Sequence, residues 1–306
     1  MTLVAGALDR QPGPGTDAAG LEAAYRHCWR IATSHYENFT VGSWLLPRRL
    51  RRHVAAIYAW ARTADDLADE GEVAPAERLA RLDTWGAALE RSAAGNGRHP
   101  IFVAVGDTIR TFELPLEPFR KLLDAFRMDV RFQPFPTFAA LREYCRHSAD
   151  PVGHLVLALF GYRDERRREL ADAICTGLQL ANFWQDVASD AARGRCYLPE
   201  EDLARFGCTA AEVVAGTAGT RGRDLLAFQV ERARTHLERG LALAGLVDRR
   251  LAREVLLFGW GGLAALDAIA AVDHDVVRRR PELSRRHKSA LVVRALLTRT
   301  AREREA

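Results

Sequence analysis

No stretch of the chain alternates apolar and polar residues for long enough to suggest a sheet, and the good helix formers Ala, Leu, Arg and Glu dominate throughout. The pattern predicts an all-α protein. Helices are expected over Leu21–His35, Arg49–Asp69, Pro75–Ser92, Ile101–Thr111, Leu116–Arg131, Phe138–His147, Val152–Phe160, Glu165–Ala191, Arg221–Ala244, Arg249–Ala271 and Lys288–Arg302. Between them fall short turn-type segments: Gly95-Asn96-Gly97, Pro134 to Pro136, Asp150-Pro151, Gly194 to Pro199 and Gly216 to Gly222. None resembles an interdomain linker. The simplest organisation is a loose tail over residues 1–20 and one helical bundle over 21–306.

Two of these helices break a local rule. Ala55 to Ala61 is apolar on every face, as in a helix buried all round, and then runs into Arg62, Asp65, Asp66 and Asp69. At spacings of three and four the carboxylates share one face within about one turn. Gly71 then reads as a stop, so the acids occupy the last turns, where the helix dipole and their mutual repulsion both disfavour them. Something cationic should offset them. The segment from Gly177 repeats the pattern: it is mostly apolar, with Asn182, Asp186 and Asp190 on one i, i+4, i+8 line and Gln179 beside it, and Gly194 follows. Arg62 and Arg193 could neutralise these acids as ordinary surface pairs. The same violation made twice points instead to a shared site. Oxygen ligands without accompanying His or Cys favour Mg²⁺, which completes its shell with water and substrate phosphate. A phosphate ester bridged by magnesium is the expected ligand.

Composition narrows the setting. Of 306 residues, 48% are hydrophobic and 27% charged, which is globular rather than disordered. The longest uncharged apolar run, Val255 to Leu266, is shorter than a membrane span needs, and the first twenty residues do not read as a secretory signal. Five cysteines without CxxC spacing give no complete disulfide framework, so the cytoplasm is the expected compartment. The net charge of +4, carried almost wholly by arginine, permits an anionic partner without demanding one.

Tyr58-x-x-x-Arg62-x-x-Asp65-Asp66-x-x-Asp69 and Gln179-x-x-Asn182-x-x-x-Asp186-x-x-x-Asp190 resemble the two aspartate-rich signatures of the squalene and phytoene synthase family. Arg195-x-Tyr197-Leu198-Pro199 resembles the segment after the second signature. Tyr144-Cys145-x-x-Ser148-Ala149-x-Pro151-Val152-Gly153 resembles the family's central helix pair, and Asp129 falls where the family carries an aspartate. His35 to Phe39, Leu45-Leu46-Pro47 and Asn182 to Asp186 are most similar to the hydroxysqualene synthase branch of bacterial hopanoid pathways. Gln185 stands where condensing members usually carry an arginine. Asp150 and His154 stand where this branch is expected to carry an amide and an arginine.

The resemblance implies the all-α isoprenoid synthase fold, with a central cavity whose mouth carries both aspartate pairs. By analogy Asp65, Asp69, Asp186 and Asp190 coordinate Mg²⁺, with Asn182 in or beside the metal shell. Arg62, Arg195 and Tyr197 would contact diphosphate oxygens, Gln179 would orient the shell, and His35 and Tyr58 would sit at the mouth. Phe39, Phe126, Phe160, Phe183 and Trp184 are candidates for a wall around a carbocation, each taken singly reading more readily as an ordinary core aromatic. The implied reaction is ionisation of presqualene diphosphate and capture of the rearranged cation by water to give hydroxysqualene. The rival within the family is head-to-head condensation of farnesyl diphosphate or longer prenyl diphosphates. No GxGxxG follows a strand, in keeping with a reaction that needs no hydride donor. Nucleic-acid binding through Arg48, Arg49, Arg51 and Arg52 or Arg278 to Arg280 is disfavoured, because the runs are short and lack interleaved aromatics. A di-iron bundle would need Glu-x-x-His pairs, and a non-catalytic scaffold would leave both aspartate stripes unexplained. An oily substrate makes transient contact with the inner membrane face an expectation, and no obligate protein partner is implied.

Overall fold

The computed structural model describes residues 18–34, 46–279, 281 and 283–298, and no strand occurs among them. His35 and Phe39 lie outside the described residues. Along the chain run α1 (Ala18–Ser34), α2 (Arg48–Asp69), α3 (Pro75–Ala93), α4 (Pro100–Phe112), α5 (Glu117–Val130), α6 (Phe138–Ser148) and α7 (Asp150–Leu159). There follow α8 (Glu165–Gln185), α9 (Val187–Ala192), α10 (Glu200–Arg205), α11 (Ala210–Val214), α12 (Gly219–Leu241), a 3₁₀ turn (Ala242–Gly245), α13 (Arg249–Ala271) and α14 (Arg285–Leu297). Local chemistry sets many of the starts. Prolines open α3, α4 and α5, where a missing N–H is harmless, and the side chains of Thr137, Asp164 and Asp248 cap α6, α8 and α13.

The described chain sorts into two compact units. The first comprises the residues up to Arg131 together with Leu155–Tyr162. Its core is built on aromatic pairs: Trp60 meets Phe119 edge-on with ring centroids 5.1 Å apart, and Trp85 tilts onto Phe102 at 4.5 Å. All four rings are essentially buried. Burying a ring of this size removes about 150–250 Å² from water, on the order of 4–6 kcal/mol of transfer free energy each before entropy is subtracted. Between α1, α2 and α4 lies a buried polar knot. The Tyr25 hydroxyl donates to Asp107 Oδ2 at 2.6 Å and stands 3.0 Å from His53 Nδ1 and 3.1 Å from Thr108 Oγ1. Burial pushes the His53 imidazole down to about 4, so it is neutral and accepts or donates as its tautomer dictates.

The second unit comprises Phe132–His154 and the residues from Arg163 onward. Its centre is the packing of α8 against α12, with α13 on both. Gly240 makes the close approach possible: a Cβ there would lie 2.5 Å from the backbone nitrogen of Ile174. By length and composition α13 is apolar enough to cross a membrane, and half of its most apolar stretch is buried inside this unit.

Several sequence expectations shift in detail. The predicted Glu165–Ala191 helix is two helices, with Asp186 at the junction. The Ser189 hydroxyl donates to the Asp186 carbonyl at 2.9 Å and competes there with the helical N–H ladder. The expected Arg221–Ala244 helix begins two residues earlier and ends in the 3₁₀ turn. The last helix lies at Arg285–Leu297 rather than Lys288–Arg302, and residues 299–302 are not described. The hydrophobic pattern does not predict the short helices α10 and α11. For α11 the signal was present: Thr209 and Glu212 form a capping box.

Candidate active site

In the first unit Tyr58, Arg62, Asp65, Asp66 and Asp69 all lie on the last three turns of α2, half-buried. The helix ends where expected, and Gly71 makes the turn at φ 82°, a conformation that side chains with a Cβ resist. Arg62 supplies the offsetting cation. Its guanidinium reaches Asp66 at 2.9 Å, Asp65 at 3.4 Å and Glu70 at 3.8 Å. It does not neutralise the cluster. Desolvation raises the Asp65 carboxyl to about 7, and repulsion from Asp69 adds to it, with smaller pushes from Asp66 and from Asp129 on α5, against the opposing pull of Arg62. The Asp65 side chain is still 39% exposed, so water screens part of this repulsion. A divalent cation would relieve this excess of negative charge, and its hard oxygen donors are the right class for Mg²⁺.

In the second unit the α8–α9 stripe survives the break. Asp186 N–H donates to the Asn182 carbonyl at 2.9 Å and Asp190 N–H to the Asp186 carbonyl at 2.8 Å, so the i, i+4 spacing continues through the junction. Asn182 is exposed, whereas Gln179, Asp186 and Asp190 are half-buried. Gly194, at φ 75°, turns the chain back, and Arg195 N–H returns to the Asp190 carbonyl at 2.9 Å. The segment resembling Arg-x-Tyr-Leu-Pro is thereby tied to the second aspartate motif. Tyr197 is buried with its ring stacked on Phe183 at 3.8 Å and 10°, in a cluster with Phe132, Phe135 and Tyr144.

Among the described residues no group of three or more His, Cys, Asp and Glu side chains converges as a closed metal cage. Magnesium does not ask for one, since it binds through one or two carboxylates and keeps its waters. The donor sets of both motifs fit that habit.

Other expectations receive definite neighbours. Gln185 donates from Nε2 to the Pro281 carbonyl at 3.3 Å. Asp150, 2% exposed, accepts from Arg142 at 2.8 Å and from the Thr176 hydroxyl at 2.8 Å. His154 Nε2 lies 2.6 Å from Asp172 Oδ1. Phe183 and Trp184 are buried core aromatics, and Phe126 packs on the core of the first unit. Three arginines of these runs have partners within the chain: Arg51 donates to the Leu46 carbonyl, Arg52 lies 3.8 Å from Glu22, and Arg278 donates to the Gly216 carbonyl.

The family model for squalene/phytoene synthase matches residues 32–287. The chain belongs to that family. Squalene/phytoene synthases are enzymes of isoprenoid biosynthesis that act on prenyl diphosphates such as farnesyl diphosphate. The chain is 33% identical over 283 residues to 15-cis-phytoene synthase of Synechococcus elongatus, covering 87% of this chain and 90% of the relative. It is 43% identical to the crystal structure of squalene synthase HpnC from Alicyclobacillus acidocaldarius, with a TM-score of 0.80 over 84% of this chain and 97% of the other. A dehydrosqualene synthase structure, 24% identical, superposes with a TM-score of 0.82 over 91% of this chain and 97% of its own, a likeness of fold. The fold is the all-α isoprenoid synthase fold.

Proposed function

We propose that this chain is a magnesium-dependent hydroxysqualene synthase acting on presqualene diphosphate. The observation that carries the reading is Gln185 within the Asn182 to Asp186 segment, backed by 43% identity to squalene synthase HpnC along 84% of the chain, against 33% and 36% to two phytoene synthases. The Gln185 amide, bonded to Pro281, stands where condensing members usually carry a fixed cation beside the second aspartate motif.

Asp65 and Asp69 in the first unit, and Asn182, Asp186 and Asp190 in the second, would hold magnesium. When bound, it supplies charge stabilisation to the departing diphosphate. Arg195 and Tyr197 would donate to diphosphate oxygens, and the stacked Tyr197 ring is already immobilised for that task. Arg62 tempers repulsion among the α2 carboxylates while remaining within reach of an anion. Gln179, one turn before Asn182, would orient the metal-bearing amide and waters, and Tyr58, one turn before Arg62, would steady the guanidinium. In the reaction the carbon–oxygen bond breaks with its electron pair on diphosphate. The cyclopropylcarbinyl cation rearranges, and water adds and loses a proton to give hydroxysqualene. No reductant is consumed.

The phytoene synthase relatives favour a second reading, head-to-head condensation of two farnesyl diphosphates or of two longer prenyl diphosphates. Which substrate is consumed separates the two, since both reactions release diphosphate. Release from presqualene diphosphate, with farnesyl diphosphate untouched, supports the proposal. Consumption of farnesyl diphosphate with accumulation of presqualene diphosphate replaces it.

A further inference from the structure

At the C-terminal end of α2, one side chain from the first turn of α3 closes over the helix. The Arg78 guanidinium donates from Nε to the Val73 carbonyl at 3.0 Å, from one terminal nitrogen to the Gly71 carbonyl at 2.7 Å, and from the other to the Ala68 carbonyl. All three of its nitrogens are committed to backbone. Ala68 precedes Asp69, and Gly71 and Val73 form the turn leaving the metal-binding helix. Two physical problems meet here. The last carbonyls of a helix are orphaned acceptors carrying partial negative charge, and in this helix the same turn also carries the carboxylates of Asp65 and Asp69. A forked, permanently charged guanidinium answers both, because it fixes three acceptors in one plane while placing a positive charge under the helix end.

We propose that Arg78 is a positioning residue for the first aspartate motif. By pinning the carbonyl next to Asp69 and the turn beyond it, Arg78 sets where the last turn of α2 presents Asp65 and Asp69, and so tightens their hold on magnesium and diphosphate. Arg62 acts on the carboxylates themselves, whereas Arg78 holds the backbone that aims them. The inference rests on the metal-diphosphate reading of the site. It assigns to Arg78 the part that residues behind the ligands play in metal sites, where their loss typically weakens affinity about 10–100-fold.

The test is a thermal-shift titration of Mg²⁺ at saturating inorganic diphosphate, on wild type, Arg78→Gln and Arg78→Lys. The Gln variant should need roughly ten- to a hundredfold more Mg²⁺ for half of the stabilisation, and the Lys variant an intermediate amount. Turnover of the Gln variant should recover as Mg²⁺ is raised. If both variants merely melt lower, with an unchanged Mg²⁺ midpoint, Arg78 is a helix cap and the inference is wrong. Should the Gln variant fail to fold, the Lys variant carries the same comparison. A wild-type protein that shows no Mg²⁺-dependent shift overturns the metal reading itself, and this inference with it.

Discussion

Replacing Asp150 with asparagine should flatten the pH dependence of stability without destroying the fold. In the native protein this carboxyl is 2% exposed, and burial first, then repulsion from Asp172, raises it to about 6 from an ordinary 3.8, against the opposing pull of Arg142 and Thr176. Each tenfold change in proton affinity corresponds to about 1.36 kcal/mol, so the native state favours the protonated acid by roughly 3 kcal/mol more than the unfolded chain does. Because the folded value is the higher one, the native state binds more protons between about pH 4 and pH 6, and stability falls as pH rises through that window. Above it the ionised carboxylate is a net burden despite its ion pair, as buried pairs often are. Asparagine keeps an acceptor for the Thr176 hydroxyl and removes the charge, at the expense of the Arg142 pair. Arg142 is 20% exposed and can turn to water, which limits that loss to about 1–2 kcal/mol. The wild-type-minus-variant difference in urea unfolding, compared near pH 4 and near pH 8, should therefore move by about 2–3 kcal/mol in favour of the variant at the higher pH. A variant that is 3 kcal/mol or so less stable than wild type near pH 8, and no worse near pH 4, would show that the pair stabilises the native state and that the carboxyl is not raised.

Asp65→Ala and Asp186→Ala should each abolish turnover while circular dichroism retains the helical spectrum, and wild-type turnover by either would refute the metal assignment. Gly240→Ala should lower stability by about 1–3 kcal/mol, because its Cβ would meet the Ile174 backbone at 2.5 Å, and an unchanged melting temperature would contradict this packing. Tyr25→Phe should lower stability by about 1–3 kcal/mol, since the hydroxyl that Asp107, His53 and Thr108 surround would be lost; a neutral substitution would mean that the knot contributes nothing net.

What the sequence revealed is what periodicity and local chemistry encode. The apolar pattern located the long helices, and the two carboxylate stripes stood out because acids at helix ends violate a local preference. The rest depends on contacts that no local pattern carries. Arg78 stands close to the first motif in sequence, yet its role appears only when α3 folds back over the end of α2. Asp150 and His154 looked anomalous alone, and their partners Arg142, Thr176 and Asp172 come from two other helices. Phe183, a candidate wall residue, spends a ring face on Tyr197, a contact made by the turn at Gly194 and invisible in the spacing. The assignment of 155–162 to one unit and of the residues on either side to the other likewise follows from packing alone.

In the proposed reaction water, and not a second prenyl chain or a hydride, captures the cation. Incubating the purified protein with Mg²⁺ and presqualene diphosphate in heavy-oxygen water, without reductant, tests it by mass spectrometry of the extracted product. The expected product is hydroxysqualene carrying one heavy oxygen. An unlabelled hydrocarbon, or no product from presqualene diphosphate alongside turnover of farnesyl diphosphate, would contradict it.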